Sequence, residues 1–264
     1  MPTVNTICQY LSEFAPNRLA ESWDNTGLLL GDREKEVHKV MTCLTVTPQS
    51  TAEAVREQVD IIVSHHPMMF RPINKITRDS VQGSMLIDLL RSDIAVYSPH
   101  TAFDSTRSGI NESICAKLEI ENAKPLQEIE AAQDESIGAG RIGELKNAMN
   151  QSEFSDWVKQ KFGLDSIRTA GQASGLIKRV AVACGSGGTF MGAAHKLGAD
   201  AFVTGEATFH TCLEAEANQI AMCLVGHFAS ERFAVEELAQ RLQGEFANTT
   251  SWASRNESDP LSVV

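Results

Sequence analysis

The sequence predicts an α/β protein made of two related α/β lobes, each with layered sheets and helices. Short apolar runs alternate with amphipathic stretches along the 264 residues, which is typical of α/β proteins. Most of the apolar runs lack in-and-out alternation, as expected for strands that helices cover on both faces. In addition, residues 38–118 and 179–243 each contain a strand, a helix, a strand and then a histidine-bearing turn. This repeated order predicts the two lobes.

The individual elements follow from the same patterns. Apolar runs predict strands at His38–Val46, Val59–Ser64, Ile94–Ser98, Arg179–Cys184, Ala201–Thr204 and Ile220–Val225. Amphipathic periodicity predicts helices near residues 3–14, 48–58, 80–91, 110–118, 152–162, 188–197, 208–217 and 229–243. The second helix has a clear start signal, because Thr47 can cap it and Pro48 occupies its first position.

The predicted organisation is one domain with three parts. An N-terminal lobe spans residues 1–120, and a C-terminal lobe spans residues 176–264. Residues 121–175 lie between them and contain an acidic stretch, Gln127 to Glu135, and a glycine-rich stretch, Ile137 to Gly143. We expect this part to be a connecting segment packed on the core.

Charge and composition exclude several functional classes. The formal net charge is −11, from 23 basic and 34 acidic residues, and no basic run is present. Such a field opposes binding to nucleic acids and acidic membranes, because that binding depends on Lys and Arg. No apolar run approaches the ~20 residues that span a bilayer, and the N-terminal residues do not resemble a signal peptide. The six cysteines are scattered, which suits a reducing compartment, so we expect a cytoplasmic protein.

Two adjacent histidines, His65 and His66, follow a predicted strand and precede Pro67. Neighbouring side chains on a regular strand point to opposite faces, so both imidazoles can serve one site only where the strand breaks into a turn. Pro67 favours such a break because it keeps His66 out of helical geometry. The pair is suited to two neighbouring metal ions. The alternative is a pair of surface histidines.

Two further predicted strands also end in potential metal ligands. One is followed by a loop with His100 and Asp104. The other is followed by His227 and Glu231, which are four residues apart and therefore share one face of a helix. A carboxylate beside an imidazole can bridge two cations. The alternatives are a turn or cap role for Asp104 and a helix-dipole role for Glu231.

Together these residues predict a two-metal centre. Ligands of open α/β sheets bind at the carboxyl ends of the strands, which places the site there, between the two lobes. The mixture of nitrogen and oxygen donors suits two divalent ions of Zn, Fe, Mn or Co rather than Ca or Mg. The predicted metal ligands are His65, His66, Asp104, His227 and Glu231.

Other polar groups fall at the same predicted edge and are candidates for catalysis. Glu206 could orient a ligand histidine or act as a general base, and His100 could transfer a proton. His210 either polarises a substrate or is a capping or half-buried histidine. The glycine-rich turn Cys184–Gly188 either seats a phosphate or is a simple tight turn. The segment Trp23–Gly27 combines an aromatic ring with three polar groups, and we expect it to overhang the site.

With these residues identified, the sequence resembles the Nif-three-like dinuclear-metal family, also described as type-two homologues of GTP cyclohydrolase one. The resemblance covers nearly the whole chain. Its motifs occur in family order: Trp23–Gly27, Ser64–Pro67, His100–Asp104, Gly138–Gly143, Thr204–Glu206, Gly226–His227 with Glu231, and Ser258–Pro260.

The resemblance implies that the five predicted ligands bind two metals, with Glu231 bridging them. It also implies two related lobes around the site and a ring-shaped homohexamer. The sequence departs from the family pattern at Glu206, where Asp is frequent, and at Phe209, where some members have a second histidine. The large inserted domain of longer members is missing.

The expected function is metal-dependent hydrolysis of a small molecule, such as a nucleotide, a cyclic amide or a phosphate ester, because paired metals activate water. Opening of the purine ring of GTP fits the family's description. The alternative is a non-enzymatic protein that holds or delivers metal, or a scaffold for protein interactions. An open coordination position would favour the enzyme. Regulation of transcription by DNA contact fits poorly with the net charge of −11.

Overall fold

The secondary structure is known from a computed structural model, which describes residues 1–130, 134 and 136–262. Four residues of the acidic stretch singled out above, 131–133 and 135, lie outside the described residues. The described strands are β1 (Gly27–Leu30), β2 (Lys39–Cys43), β3 (Ile61–Ser64), β4 (Ala95–Ser98), β5 (Ile120–Lys124), β6 (Gln127–Glu128), β7 (Gly138–Ala139), β8 (Arg141–Met149), β9 (Arg168–Ala170), β10 (Ile177–Ala183), β11 (Ala201–Thr204), β12 (Ala221–Leu224) and β13 (Thr250–Ala253).

The α-helices follow the predicted positions closely. They are α1 (Val4–Phe14), α2 (Pro48–Glu57), α3 (Val81–Arg91), α4 (His100–Ser105), α5 (Ile110–Lys117), α6 (Gln151–Phe162), α7 (Met191–Lys196), α8 (Phe209–Ala217) and α9 (His227–Glu245). The start of α2 is as predicted, because the Thr47 hydroxyl accepts a hydrogen bond from the backbone of Ser50. None of the described helices is long and apolar enough to cross a membrane.

The first of two compact units comprises Met1–Phe103 and the residues from Arg232 onward. Among its described residues, the strands of its sheet pair in the order β1-β4-β3-β2-β13. Strand β1 is antiparallel to β4, and the other pairs are parallel. Strands β3 and β4 are buried along their whole length, as predicted for strands covered on both faces. Their side chains pack with Leu86 and Leu89 of α3 in a hydrophobic core.

The second unit comprises Asp104–Glu231. Its described strands form a sheet in the order β5-β8-β10-β11-β12-β9. The central strands β10, β11 and β12 are parallel, and the outer ones pair antiparallel. Ala181 of β10, Phe202 of β11 and Met222 of β12 are fully buried and pack with Met191 and Ala215 from the helices. The α/β fold class predicted from the sequence is confirmed.

The segment predicted to connect the lobes, residues 121–175, contributes strands to the second unit's sheet. Nearly all of β5 and all of β8 and β9 lie within it. Strand β8 contains polar residues at exposed positions, so the apolar-run pattern that predicts buried parallel strands does not detect it. The proposed division into three parts at residues 120 and 175 stays a prediction about domain organisation.

The two units share one local design. In the first, α1, β1, β2, α2, β3, α3 and β4 follow each other; in the second, α6, β9, β10, α7, β11, α8 and β12 do. Asp60 accepts hydrogen bonds of 2.7 and 2.9 Å from two backbone N–H groups at the start of β2. Asp200 accepts bonds of 2.9 and 2.7 Å from the backbone near the start of β10. The repeated order expected from the sequence is therefore present in both units.

Candidate metal centre

Three histidines of the first unit gather at the carboxyl ends of β3 and β4. His65 and His66 follow β3 directly, and His100 begins α4 after β4. The turn after β3 is held by the hydroxyl of Ser98, which donates to the carbonyl of His65 at 2.6 Å. The hydroxyl of Ser64 donates to the carbonyl of His66 at 2.9 Å. Parallel strands end at the same edge of a sheet, and this brings the three rings together.

The distances among these rings fit a metal ligand set. The ring centroid of His65 lies 4.9 Å from that of His66 and 5.2 Å from that of His100. One ring nitrogen from each histidine lies within 4.8 Å of the others. Two nitrogens bound to one zinc ion are at most about 4.2 Å apart, so nitrogens at nearly this spacing are close enough to belong to one metal centre. His65 is 1% exposed, which keeps bulk water from its ring.

Neighbouring polar side chains contact Nδ1 of two of these rings and fix their orientation. The hydroxyl of Thr45 lies 2.7 Å from Nδ1 of His66. The carboxylate of Asp24 lies 2.7 Å from Nδ1 of His100 and also accepts hydrogen bonds from Thr101. Burial acts to raise the pKa of Asp24, but the bonds from His100 and Thr101 outweigh it and lower that pKa. Such contacts direct Nε2 toward a ligand, as in metal sites where a carboxylate supports a histidine.

The backbone of His100 is strained. Its φ is 31°, in the left-handed region that residues other than glycine rarely adopt. Strain of this kind persists where the surrounding structure fixes a residue, and it concentrates at functional sites. The sequence predicted a loop for His100 to Asp104, whereas both lie in the short helix α4. His100, predicted to transfer a proton, lies in one donor group with His65 and His66, and its role stays a prediction.

In the second unit, His227 begins helix α9 and Glu231 follows one turn later, as their spacing predicted. Nε2 of His227 lies 3.0 Å from Oε2 of Glu231. Nδ1 of His227 lies 2.6 Å from Oε1 of Glu206, which also accepts a 2.8 Å bond from the hydroxyl of Ser186. Hydrogen bonds with Glu231, and then with Glu206, raise the pKa of His227 to about 9 against the opposing effect of burial.

Asp104 is the other carboxylate of the second unit that was predicted to bind metal. The thiol of Cys184 donates to its Oδ1 at 3.2 Å, and the side-chain amide of Asn111 donates to its carbonyl at 3.0 Å. Asn111 in turn accepts a 2.8 Å bond from the backbone of Cys184. Burial, and then the charge of Asp104, raise the pKa of the Cys184 thiol, so it stays protonated and acts as a donor.

A buried arginine holds the backbone that follows Asp104. Arg141 is 1% exposed, and its guanidinium donates to the carbonyls of Ser105 and Thr106 at 3.4 and 3.2 Å. It also donates to the carbonyls of Gly138 and Gly140 at 2.5 and 2.8 Å. The glycine-rich motif around Arg141 thereby contributes to the position of a predicted ligand.

The glycine-rich turn after β10 leaves room for the predicted ligands of the second unit. Gly185 has a φ of 55°, and a Cβ atom there would collide with Oε1 of Glu231. The turn continues into a 3₁₀ helix and then into α7, which has only 6 residues. This packing accounts for the glycine without a bound phosphate, so the turn supports the simpler of the two interpretations. His210 is exposed near the start of α8.

The sequence alone did not reveal several supporting residues. Asp24 and Arg141 lie within shared motifs and Cys184 begins the glycine-rich turn, but no sequence pattern predicts their contacts or points to Thr45. Their partners are distant in the chain; Asp24 and His100, for example, are 76 residues apart. The sequence signals at these positions are the shared motifs Trp23–Gly27 and Gly138–Gly143, which contain Asp24 and Arg141, and the glycine-rich turn that begins at Cys184.

The sequence profile of the family described as Duf34/NIF3 (NGG1p interacting factor 3) matches residues 2–260. The chain belongs to this family. It is 35% identical over 261 residues to a Clostridium acetobutylicum protein named GTP cyclohydrolase 1 type 2 homolog, with 97% of each chain covered. It is 31% identical over 264 residues to NIF3-like protein 1 of Drosophila melanogaster, with 98% of this chain and 88% of the relative covered.

The solved structures agree on the fold. The chain superposes on a Bacillus cereus protein related to NIF3 with a TM-score of 0.89, and each chain is covered completely. Identity between the two is 22%, so this likeness concerns the fold alone. The family profile and the two relatives confirm the family predicted from the sequence motifs. Within the first unit of this member of the Duf34/NIF3 family, His65, His66 and His100 form a group that could hold a metal ion.

Proposed function

We propose that this protein binds two divalent metal ions and uses them to hydrolyse a small molecule. The proposed ligands are His65, His66, Asp104, His227 and Glu231, with Glu231 bridging, as the family resemblance implies. The observation that carries the proposal is the gathering of His65, His66 and His100, whose ring nitrogens lie within 4.8 Å of one another at the strand ends. Imidazole and carboxylate donors favour Zn, Fe, Mn or Co.

The metals would supply Lewis-acid activation of water and of the substrate at neutral pH. The protein's own groups would supply orientation and proton transfer. His100, held by the buried carboxylate of Asp24, is the proposed proton carrier. Glu206 acts as a positioning residue, because its carboxylate contacts Nδ1 of His227 and fixes that ring. Asp104 and Glu231 contribute negative charge that offsets the charge of the cations.

The proposed function also implies binding partners and a cellular location. Its partners would be a small-molecule substrate and other copies of the chain in a homohexamer, which the resemblance implies. The net charge of −11 opposes contact with nucleic acids and acidic membranes. The proposed location is the cytoplasm, since the six cysteines suit a reducing compartment.

A second candidate is a non-enzymatic protein that holds or delivers metal or serves as an interaction scaffold. The description of the family as an interacting factor favours it. An enzyme needs a coordination position that exchanges water, whereas a storage site does not.

A hydrolysis screen tests the enzymatic proposal. Metal-loaded protein is assayed against nucleotides, cyclic amides and phosphate esters, beside His65→Ala and Glu231→Ala. His38→Ala, which changes an exposed histidine, is the matched control. We expect turnover that falls at least 100-fold in both ligand variants and not in the control, consistent with loss of metal activation. Turnover that survives both ligand substitutions would contradict the assignment, and no turnover of any substrate would favour the second candidate.

A further inference from the structure

Two exposed aromatic side chains stand beside the histidines of the first unit. Trp23 is 57% exposed and Phe70 is 50% exposed. Their ring centroids are 5.6 Å apart, with the planes inclined by 54°. The centroid of His100 lies 6.1 Å from that of Trp23 and 6.4 Å from that of Phe70. The two rings therefore adjoin the nitrogen donors directly.

The segments that present these rings are held in place by polar contacts. The side-chain amide of Asn25 donates to the carbonyl of Met69 at 2.6 Å, which links the residue after Asp24 to the residue before Phe70. The side chain of Asp24 is 0% exposed and contacts His100 and Thr101. Trp23 thus stands on a fixed segment, not on a loose loop.

An exposed apolar patch bordered by polar residues is typical of a ligand-binding site. Trp23 and Phe70 form such a patch, and His100 borders it. Aromatic side chains recognise planar rings by stacking, and every nucleobase offers such a face. The net charge of −11 disfavours an anionic lipid surface as the occupant.

We propose that Trp23 and Phe70 form a stacking surface that selects substrates carrying a planar heteroaromatic ring of the nucleobase type. This inference rests on the proposed function, because the selected ring belongs to the molecule hydrolysed beside His65, His66 and His100. The stacking surface, defined as Trp23 and Phe70, sets the substrate class, while the histidines serve the chemistry. A substrate without such a ring cannot stack on Trp23 or Phe70.

Equilibrium dialysis of the metal-loaded protein tests this inference. The probes are GMP, AMP and UMP. The matched probe is ribose 5-phosphate, which has the same sugar phosphate but no nucleobase. We expect the three nucleotides to bind more tightly than ribose 5-phosphate. Trp23→Ala should weaken nucleotide binding by roughly 5- to 100-fold, the range found for loss of base stacking on an aromatic side chain. Binding of ribose 5-phosphate should not change.

Three further variants control the experiment. Trp23→Phe keeps a ring and should retain most of the affinity for nucleotides. Phe70→Ala should weaken nucleotide binding even if Trp23→Ala fails to fold. Leu90→Ala removes another exposed apolar side chain of the same unit, 51% exposed on α3, and should change nothing.

Several results would overturn the inference. They are equal affinity for nucleotides and ribose 5-phosphate, no measurable nucleotide binding, or equal losses for both kinds of probe in Trp23→Ala. A change of oligomeric state in Trp23→Ala without a change in nucleotide affinity would assign the rings to a protein interface instead. Elemental analysis of each sample separates failure of this inference from failure of the proposed function. Protein that holds no metal but still prefers nucleotides contradicts the proposed function alone.

Discussion

The two units place different donors on the same frame. In both, a parallel β-α-β-α-β arrangement is flanked by an antiparallel strand, β1 beside β4 in the first and β9 beside β12 in the second. In both, a histidine begins the helix after the last parallel strand, His100 in α4 and His227 in α9. In both, a carboxylate contacts Nδ1 of that histidine, at 2.7 Å and 2.6 Å.

The donors and their surroundings differ between the units. After β3, the first unit adds His65 and His66, whereas the second has Gly205 and Glu206 after β11. The supporting carboxylate also differs, because the side chain of Asp24 is 0% exposed and that of Glu206 is 43% exposed. The first unit therefore offers a group of histidines with a buried supporting carboxylate. The second unit offers a carboxylate-rich group whose supporting carboxylate is partly exposed to solvent. The frame fixes where donors lie, and the residues chosen at the strand ends decide their chemistry.

The largest expected effect concerns the support of the carboxylate-rich set. Arg141→Met would leave the carbonyls of Ser105, Thr106, Gly138 and Gly140 without their buried donor. We expect the free energy of unfolding to fall by roughly 2–4 kcal/mol, since buried acceptors without partners are costly. Denaturant unfolding measures it, with exposed Arg168→Met as the control. A loss as small as that of the control would show that Arg141 does not hold this region.

The two supporting carboxylates provide the next test. Asp24→Asn and Glu206→Gln should each weaken metal binding about 10- to 100-fold, as loss of a carboxylate that supports a histidine ligand typically does. Because the side chain of Asp24 is buried, Asp24→Asn should also lower the free energy of unfolding by roughly 1–3 kcal/mol. Glu206→Gln should leave stability close to that of the wild type. Metal titration and thermal unfolding measure the two effects, and equal stability losses would remove the difference between the units.

A smaller effect on stability is expected where the two units differ in the strand that pairs with the first parallel strand, β2 or β10. Strand β2 pairs with the parallel strand β13, whereas β10 pairs with the antiparallel strand β8. The residues after β13 are held by Glu53, which accepts hydrogen bonds from Ser254, Arg255 and Asn256. Burial acts to raise the pKa of Glu53, but the bond from the backbone of Arg255 and the others lower it overall.

The lowered pKa gives a defined dependence of stability on pH. A carboxyl whose pKa falls on folding stabilises the protein above its unfolded pKa, and this contribution disappears as pH falls through the folded pKa. The advantage of the wild type over Glu53→Gln should therefore be full above pH 4.5 and shrink below it. We expect roughly 1–2 kcal/mol at pH 7. Unfolding curves from pH 3 to 7 check this, with exposed Glu13→Gln as the control; a difference that grows toward acid would contradict it.

The buried parallel strands were predictable from the sequence, and the outer strands were not. Strand β11 has the predicted bounds, Ala201–Thr204, because its continuous apolar run reflects burial on both faces. Strand β8 was missed because Glu144 and Lys146 point to solvent and interrupt the pattern. Strand β13 was missed because it pairs with β2, which lies more than 200 residues away in sequence, and local patterns do not encode such pairing.

The site was predictable to the extent that its geometry is local. The spacing of His227 and Glu231 predicts their contact, because a helix places residues four apart on one face. The contact of Cys184 with Asp104 joins residues 80 positions apart, so only the folded sheet reveals it. Trp23 and Phe70 meet for the same reason, through segments that the fold brings together.

We propose that the chain binds two metals and that His65 and Glu231 are among the ligands. Elemental analysis of protein purified without chelators, beside His65→Ala, Glu231→Ala and the control His38→Ala, tests it most directly. We predict about two equivalents of Zn, Fe, Mn or Co in the wild type and in the control. Either ligand variant should lose most of both equivalents. One equivalent or none in reconstituted wild type, or variants that each lose one ion and retain the other, would contradict the claim.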